Sequence, residues 1–87
     1  MPESLDEEKF RRWLENNDEI DPGSIDALIA RTRRALGMVD IHRATTDEHV
    51  YIALFGNRVF DTLGLSARSQ LKRAAILFHH FRLSGGA

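Results

Sequence analysis

Cysteine is absent from the sequence, which excludes disulfide bonds and thiolate metal sites. A long hydrophobic run is also missing, since the longest nearly apolar stretch, Val50 to Gly56, is far too short to span a bilayer. The opening residues, MPESLDEE, are acidic where a secretory signal would be basic and then apolar. These features predict a cytoplasmic protein without a membrane partner.

Motifs of known enzyme classes are missing as well. The sequence has no G-x-S-x-G elbow, no Walker phosphate-binding loop and no H-E-x-x-H zinc motif. Among the four histidines, His42 and His49 are separated by a predicted loop–helix junction. His79 and His80 are adjacent, so on a helix their side chains would point roughly 100° apart. We therefore predict a non-enzymatic protein with no catalytic residues, no metal site and no cofactor.

Period-2 alternation is absent too, so no sheet is expected, and the pattern that remains is helical. Its strongest instance is the stretch from Leu65 to Leu83, where nonpolar residues recur at helical spacing. Ser66 is the predicted N-cap of this last helix, and Ser84 with Gly85–Gly86 is its predicted end. The inward stripe consists of Leu71, Ala74, Ala75, Phe78 and Phe81.

Two helices are predicted in the first half of the chain. The first opens with a capping box formed by Ser4 and Glu7 and ends at residues 16–18. The second extends from about Ile25 to Leu36, with Gly37 as the residue that ends it. The predicted inward residues of these helices are Phe10, Trp13, Leu14, Ile25, Leu28, Ile29 and Leu36.

A third helix and a short fourth one are predicted before the last helix. Thr46 is the expected N-cap of the third helix, Gly56–Asn57 breaks it, and a short helix runs from about Arg58 to Leu63. Together the segments predict a single all-α domain over residues 1–87, with its core at about 5–83. We expect a compact orthogonal bundle of four main helices plus one short helix. Core candidates in this region are Val50, Tyr51, Leu54, Phe55, Val59, Phe60 and Leu63.

Charge is distributed unevenly, although the net charge is only −1. Residues 1–26 contain nine acidic and three basic side chains, whereas residues 27–87 contain nine basic and four acidic ones. Such a split indicates either a basic binding face or two halves of the chain that attract each other. On the first helix, Glu7–Arg11 and Glu8–Arg12 are expected as surface ion pairs.

The basic half of the chain suggests contact with duplex DNA. Arginine offers forked donors that match phosphate oxygens, and counterion release favours the association. In this hypothesis two nonadjacent helices bring their cations onto one uncompensated face, although the pI near 6.4 is low for a DNA-binding domain. The predicted nucleic-acid-binding residues are Arg31, Arg33, Arg34, Arg43, Arg68, Lys72 and Arg73, with Arg58 extending the surface.

The alternative is a protein-interaction or homodimerisation domain with no nucleic-acid role. On a helical wheel Ile76 and Leu83 fall about 140° from the middle of the inward stripe of the last helix. They indicate either a central helix that is covered on two sides, or a small apolar patch for a protein partner or a second copy. The residues predicted to form the partner interface in this alternative are Ile76, His79, His80 and Leu83.

The order of residues also resembles a known family. Three segments carry the resemblance: Phe10-x-x-Trp13-Leu14, then Asp21 to Ile25 leading into Ile29 to Arg34, and finally Ser66 to Ala74 with Phe78 to Phe81. Over roughly residues 5–83 the chain resembles the N-terminal core-binding (SAM-like) domain of tyrosine recombinases and phage integrases. The resemblance implies a helical clamp that grips duplex DNA, with the second and last main helices near the major groove. It implies binding without catalysis, because the only tyrosine, Tyr51, is assigned to the core.

Overall fold

The computed structural model describes residues 7–85, and the predicted capping residue Ser4 and the terminal Gly86 lie outside this range. Within it no strand occurs, and the all-α fold with four main helices and a short one is confirmed. Across the same residues, none of the helices has both the length and the apolar composition of a membrane span. The helices are α1 (Glu7–Glu15), α2 (Ile25–Met38), α3 (Asp47–Phe55), α4 (Arg58–Asp61) and α5 (Leu65–Leu83), with 3-10 turns at Pro22–Ser24 and Ile41–Arg43.

Helix α5 is the centre of the packing. It contacts α1, α2, α3 and the 3-10 turn Ile41–Arg43, and it ends at Leu83, before Ser84, as the sequence predicted. Its inward stripe is buried along its whole length. Aromatic rings hold α1 against it, because the Phe10 ring centroid lies 5.4 Å from that of Phe78 and 5.2 Å from that of Phe81. The two ends of the chain therefore share one hydrophobic core.

Ion pairs connect α1 with α2. Arg11 donates from Nη1 to Asp26 Oδ1 at 2.7 Å, and Arg33 pairs with Glu7. The expected Glu7–Arg11 pair is therefore wrong, whereas Glu8–Arg12 forms at 2.9 Å. Packing of Phe10 and Leu14 into the core places the flank that carries Glu7 and Arg11 beside α2, so both side chains find partners there.

Side-chain caps define several of the turns. Thr46, predicted as the cap of α3, accepts a hydrogen bond from the His49 amide at 3.1 Å. Asn57 caps α4 by accepting from the Phe60 amide at 3.0 Å, and its Nδ2 donates to the Met38 carbonyl at 2.9 Å. A single side chain thus starts one helix and satisfies a terminal carbonyl of another.

Three predicted helix ends are wrong. Helix α2 continues through Gly37 to Met38, because the bond from Asn57 supports its last turn, although glycine costs about 1 kcal/mol in a helix. Helix α5 starts at Leu65 after Gly64, without a side-chain cap, so Ser66 is not the N-cap. Helix α4 ends at Asp61 rather than near Leu63.

Burial also departs from expectation at three positions. Phe55 and Val59 were core candidates, yet they are 59% and 54% exposed. Helices α3 and α4 bury Leu54 and Phe60 instead, and an adjacent helical residue points about 100° away. His79, predicted as a partner-interface residue in the alternative, is fully buried because it lies one helical turn after Ala75 on the inward side of α5.

Candidate interaction site

The three arginines of α2 do not share one face of the helix. Arg31 and Arg33 are two residues apart, which places their side chains roughly 200° apart around the helix axis. Arg33 faces α1, where it pairs with Glu7, whereas Arg31 is half-buried and Arg34 is exposed. Helix α2 therefore does not direct three free guanidinium groups toward one surface.

Arg43 lies in the 3-10 turn between α2 and α3, where a nearby carboxylate compensates its charge. Its Nε lies 3.2 Å from Asp40 Oδ2. Asp40 also accepts from the His42 amide at 3.1 Å, so the carboxylate that caps the turn is the one that pairs with Arg43. Arg33 and Arg43 thus both have acidic partners within the folded chain.

Of the other predicted cations, Arg58 is exposed on α4, and the three on α5 form what we call the cationic row: Arg68, Lys72 and Arg73. In the part of the chain that the structure describes, no carboxylate pairs with any of these three. Lys72 Nζ lies 5.1 Å from the ring centroid of Tyr51 on α3, within range of a cation–π interaction. Arg68 is half-buried, and its buried Nε has no hydrogen-bond partner. The cationic row is available to an anionic ligand.

A groove follows α5 on the side of the cationic row, and we call it the α3–α5 groove. It consists of two adjoining depressions of about 290 and 220 Å³ that share Ser69 and Lys72. The cationic row contributes the positive charge along it, and His80 also lines it. Its nonpolar lining consists of Tyr51, Phe55, Phe60, Leu65, Ile76 and Leu77. Apolar and cationic side chains therefore lie together along one concave surface.

Large nonpolar side chains remain exposed in this groove. Phe55 is 59% exposed and Leu65 is 77% exposed. Ile76 is partly buried, and Leu83, 64% exposed, lies about two turns further along the same side of α5. A contiguous set of exposed apolar side chains with polar surroundings is typical of an interaction site.

Two histidines and one aspartate close the end of the groove nearest the C-terminus of α5. His80 lines the groove, and its Nε2 lies 2.9 Å from Asp47 Oδ1 and 3.1 Å from Asp47 Oδ2. The Nε2 atom of buried His79 lies 3.7 Å from the same Oδ1 atom. Adjacent histidines on α5 thus both approach a carboxylate in the first turn of α3, so Asp47 connects the two helices.

His79 is the perturbed titratable group of this cluster. Burial lowers the pKa of His79, and the nearby carboxylate of Asp47 only partly opposes this effect. Neither ring nitrogen of His79 has a hydrogen-bond partner. Across residues 7–85 no group of three or more histidine or carboxylate side chains is arranged to hold a metal ion. The distances from His79 and His80 to Asp47 make the cluster a contact between α3 and α5.

The sequence identified part of this site. Of the predicted interface residues, Ile76 and His80 line the groove, Leu83 is exposed beyond its end, and His79 is buried. The cationic row was predicted as a DNA contact and lies along the same groove. Tyr51 and Phe55 were assigned to the core, because the unbroken nonpolar run VYIALF gives no sign of which residues face outward.

Comparisons with models of protein families, with curated proteins and with solved structures find no match to this chain. The chain is therefore described by its fold and by the groove alone. It is an all-α bundle of residues 7–85 whose central helix is covered by α1, α2 and α3 and left partly open along the α3–α5 groove.

Proposed function

We propose that this chain is a non-enzymatic protein-interaction domain that binds a partner protein in the α3–α5 groove. The observation that carries the proposal is the exposure of Phe55 and Leu65 within a concave surface. Burying a nonpolar side chain of this size contributes about 1.5–3 kcal/mol, and partial exposure leaves part of this energy available for binding. In protein interfaces a few well-packed, fully desolvated residues carry most of the binding energy.

Phe55 and Ile52 provide a matched pair for testing the groove. Both lie on α3 and both are largely exposed, at 59% and 62%, but only Phe55 lines the groove. Substitution of either by alanine is expected to leave the core intact. Phe55→Ala should lower the affinity for a ligand bound in the groove by about tenfold, since it removes an apolar contact worth about 1.4 kcal/mol. Ile52→Ala should leave the affinity unchanged.

The probe is a pair of synthetic helical peptides of about 15 residues with leucine at the a and d heptad positions. One peptide has glutamate and the other has lysine at the heptad positions other than a and d. Together they test a groove that prefers an acidic ligand and a groove that prefers a basic one. Fluorescence anisotropy should show that at least one peptide binds the wild type. Phe55→Ala should weaken the binding of that peptide, and Ile52→Ala should not. Binding of neither peptide at millimolar concentration, or equal effects of Phe55→Ala and Ile52→Ala, would contradict the proposal.

A second candidate is duplex DNA binding, which the cationic row favours. Arg68, Lys72 and Arg73 occupy less than two turns of one helix, and arginine and lysine are the usual phosphate contacts. This function would correspond to that of a recombinase core-binding domain. Arg33 and Arg43 pair with Glu7 and Asp40, and the predicted cations without an acidic partner are divided among α2, α4 and α5, so only weak binding is expected.

A titration with duplex DNA at two salt concentrations tests this candidate. Binding that weakens steeply with salt, and that Lys72→Ala reduces, would support it, because phosphate contacts release counterions. Exposed Arg34 on α2 provides a further comparison, since it was predicted to join Lys72 on one basic face. Affinity that neither Arg34→Ala nor Lys72→Ala reduces would count against the DNA hypothesis.

A further inference from the structure

We infer that the α3–α5 groove binds an acidic amphipathic α-helix of a partner protein. The inference rests on the proposed protein-binding function and adds the chemical class and the secondary structure of the ligand. Three features of the groove support it: the backbone of its walls, its length, and the sign of its charge.

The walls of the groove favour a helix over an extended peptide. The lining comes only from helices, since α5 forms the long wall and Tyr51 and Phe55 of α3 with Phe60 of α4 form the other side. Backbone amides and carbonyls between the ends of a helix already bond within it. No sheet edge exists within residues 7–85 to which an extended strand could be added. An extended ligand would therefore bury amides and carbonyls without partners, whereas a helix satisfies its own backbone bonds.

The length of the groove matches a helix of moderate size. On α5 the lining extends from Leu65 to His80, which corresponds to about 22 Å at 1.5 Å per residue. A partner helix of about 15 residues covers this distance. The two adjoining depressions each provide a place for apolar side chains on one face of that helix, which is the usual recognition of an amphipathic helix in a groove.

The charge of the groove selects an acidic ligand. The cationic row has no carboxylate partner among the described residues, and Asp47, at the far end, is already engaged by His80. Carboxylates that flank the apolar stripe of a ligand would neutralise Arg68, Lys72 and Arg73 and pair with forked arginine donors. A basic helix would meet three uncompensated positive charges, so complementarity favours glutamate and aspartate.

A second copy of the chain is a poor source of this ligand. Its most amphipathic helix is α1, but the three glutamates of α1 are balanced by Lys9, Arg11 and Arg12, so this helix carries no net negative charge. The apolar face of α1 is occupied, because Phe10 and Leu14 are fully buried in the core of the same chain. Docking α1 of another copy would first require its removal from that core. The ligand is therefore assigned to a different protein.

The experiment compares the glutamate and lysine peptides described above on the full chain. The glutamate peptide should bind about tenfold more tightly, since each exposed charge contact contributes a few tenths of a kcal/mol and several act together. Arg73→Glu should weaken its binding by about fivefold. Arg34→Glu, an equal charge change at an exposed arginine outside the groove lining, should change it less than about twofold.

The possible results separate this inference from the proposed function. Equal or tighter binding of the lysine peptide overturns the acidic preference and leaves the protein-binding function intact, whereas binding of neither peptide contradicts that function. If a scrambled glutamate peptide binds equally well, or if the bound peptide shows no helical circular dichroism, the inference that the ligand is an amphipathic helix is overturned. If duplex DNA displaces the glutamate peptide at a concentration lower than that of the peptide itself, the inference is overturned and a nucleic acid is the favoured ligand.

Discussion

Replacement of His79 by leucine is expected to reduce the dependence of stability on pH below neutrality. The His79 side chain is fully buried and its ring nitrogens lack hydrogen-bond partners, so burial lowers its pKa. The unfolded chain binds a proton at this residue near pH 6.5, where the folded chain does not. Acid therefore favours unfolding, and the stability contributed by neutral His79 is lost as the pH falls below about 6.5.

The magnitude follows from the number of protons bound. One proton that binds only the unfolded chain changes the free energy of unfolding by up to about 1.4 kcal/mol per pH unit. Between about pH 7 and pH 5.5 the loss is at most about 1.3 kcal/mol, because protonation of the unfolded chain is incomplete near its pKa. The groups that surround His79 modify this value: Asp47 opposes the shift, whereas His80, Arg82 and His49 add to it.

Urea denaturation of the wild type and of His79→Leu at several pH values measures the effect. The difference between the two free energies of unfolding should change over this range by up to about 1.3 kcal/mol, with the wild type losing more. NMR titration of the His79 ring should show a pKa below that of a histidine in an unfolded peptide. Equal pH dependence of the two proteins, or a His79 pKa above that of the peptide, would refute the reasoning.

Three further predictions concern stability. Phe78→Ala should lower the free energy of unfolding by about 3–5 kcal/mol, because it leaves a cavity in the aromatic core, whereas Leu83→Ala at the surface should cost less than about 0.5 kcal/mol. Asn57→Ala should cost about 1–2 kcal/mol through loss of the α4 cap, and Asn57→Asp, which keeps the acceptor, should cost less. Glu7→Gln should cost less than about 1 kcal/mol, since its pair with Arg33 is exposed to solvent and screened by salt.

Urea denaturation checks all three, and each has an outcome that contradicts it. Similar losses for Phe78→Ala and Leu83→Ala would place Phe78 outside the core. An equal cost of alanine and aspartate at Asn57 would assign its stability to the Met38 bond rather than to the cap. A large loss for Glu7→Gln that persists in high salt would mean that this pair is shielded from solvent.

The helices themselves follow from local sequence, and most of their ends do as well. Thr46 and Asn57 precede the helices that they cap, and the spacing of Leu71, Ala74 and Phe78 fixes the inward side of α5. The end of α2 could not be predicted, because the Asn57 amide that supports Met38 comes from a position 19 residues later in the chain. The preference of glycine for helix ends therefore predicted the wrong end for α2, because a tertiary hydrogen bond supports the helix beyond Gly37.

The groove was only partly predictable for a similar reason. Ile76 and the cations of α5 stand out on a helical wheel, but the wall that α3 contributes does not, since nonpolar residues occupy every side of its second half. The contact between Asp47 and His80 connects residues that are 33 positions apart in the chain, and no local sequence pattern predicts it. Sequence periodicity gives the faces of single helices, and packing determines which faces meet.

The uneven distribution of charge has two separate consequences in the folded chain. Part of it is internal, since Glu7 in the acidic segment pairs with Arg33 in the basic one. Part of it is left at the surface, since Arg68, Lys72 and Arg73 have no acidic partner among residues 7–85. Attraction between the two halves thus accounts for Arg33, whereas the three cations of α5 remain without an acidic partner among the described residues.

The most direct measurement of the central claim is the position at which the glutamate peptide contacts the protein. In an NMR titration of the isotopically labelled chain, the backbone amides of Phe55, Ser69 and Ile76 should shift progressively as the peptide is added, because these residues line the α3–α5 groove. The amide of Arg34, on the exposed side of α2, should remain in place. Shifts centred on α2, or no shifts along the groove at saturating peptide, would contradict the account.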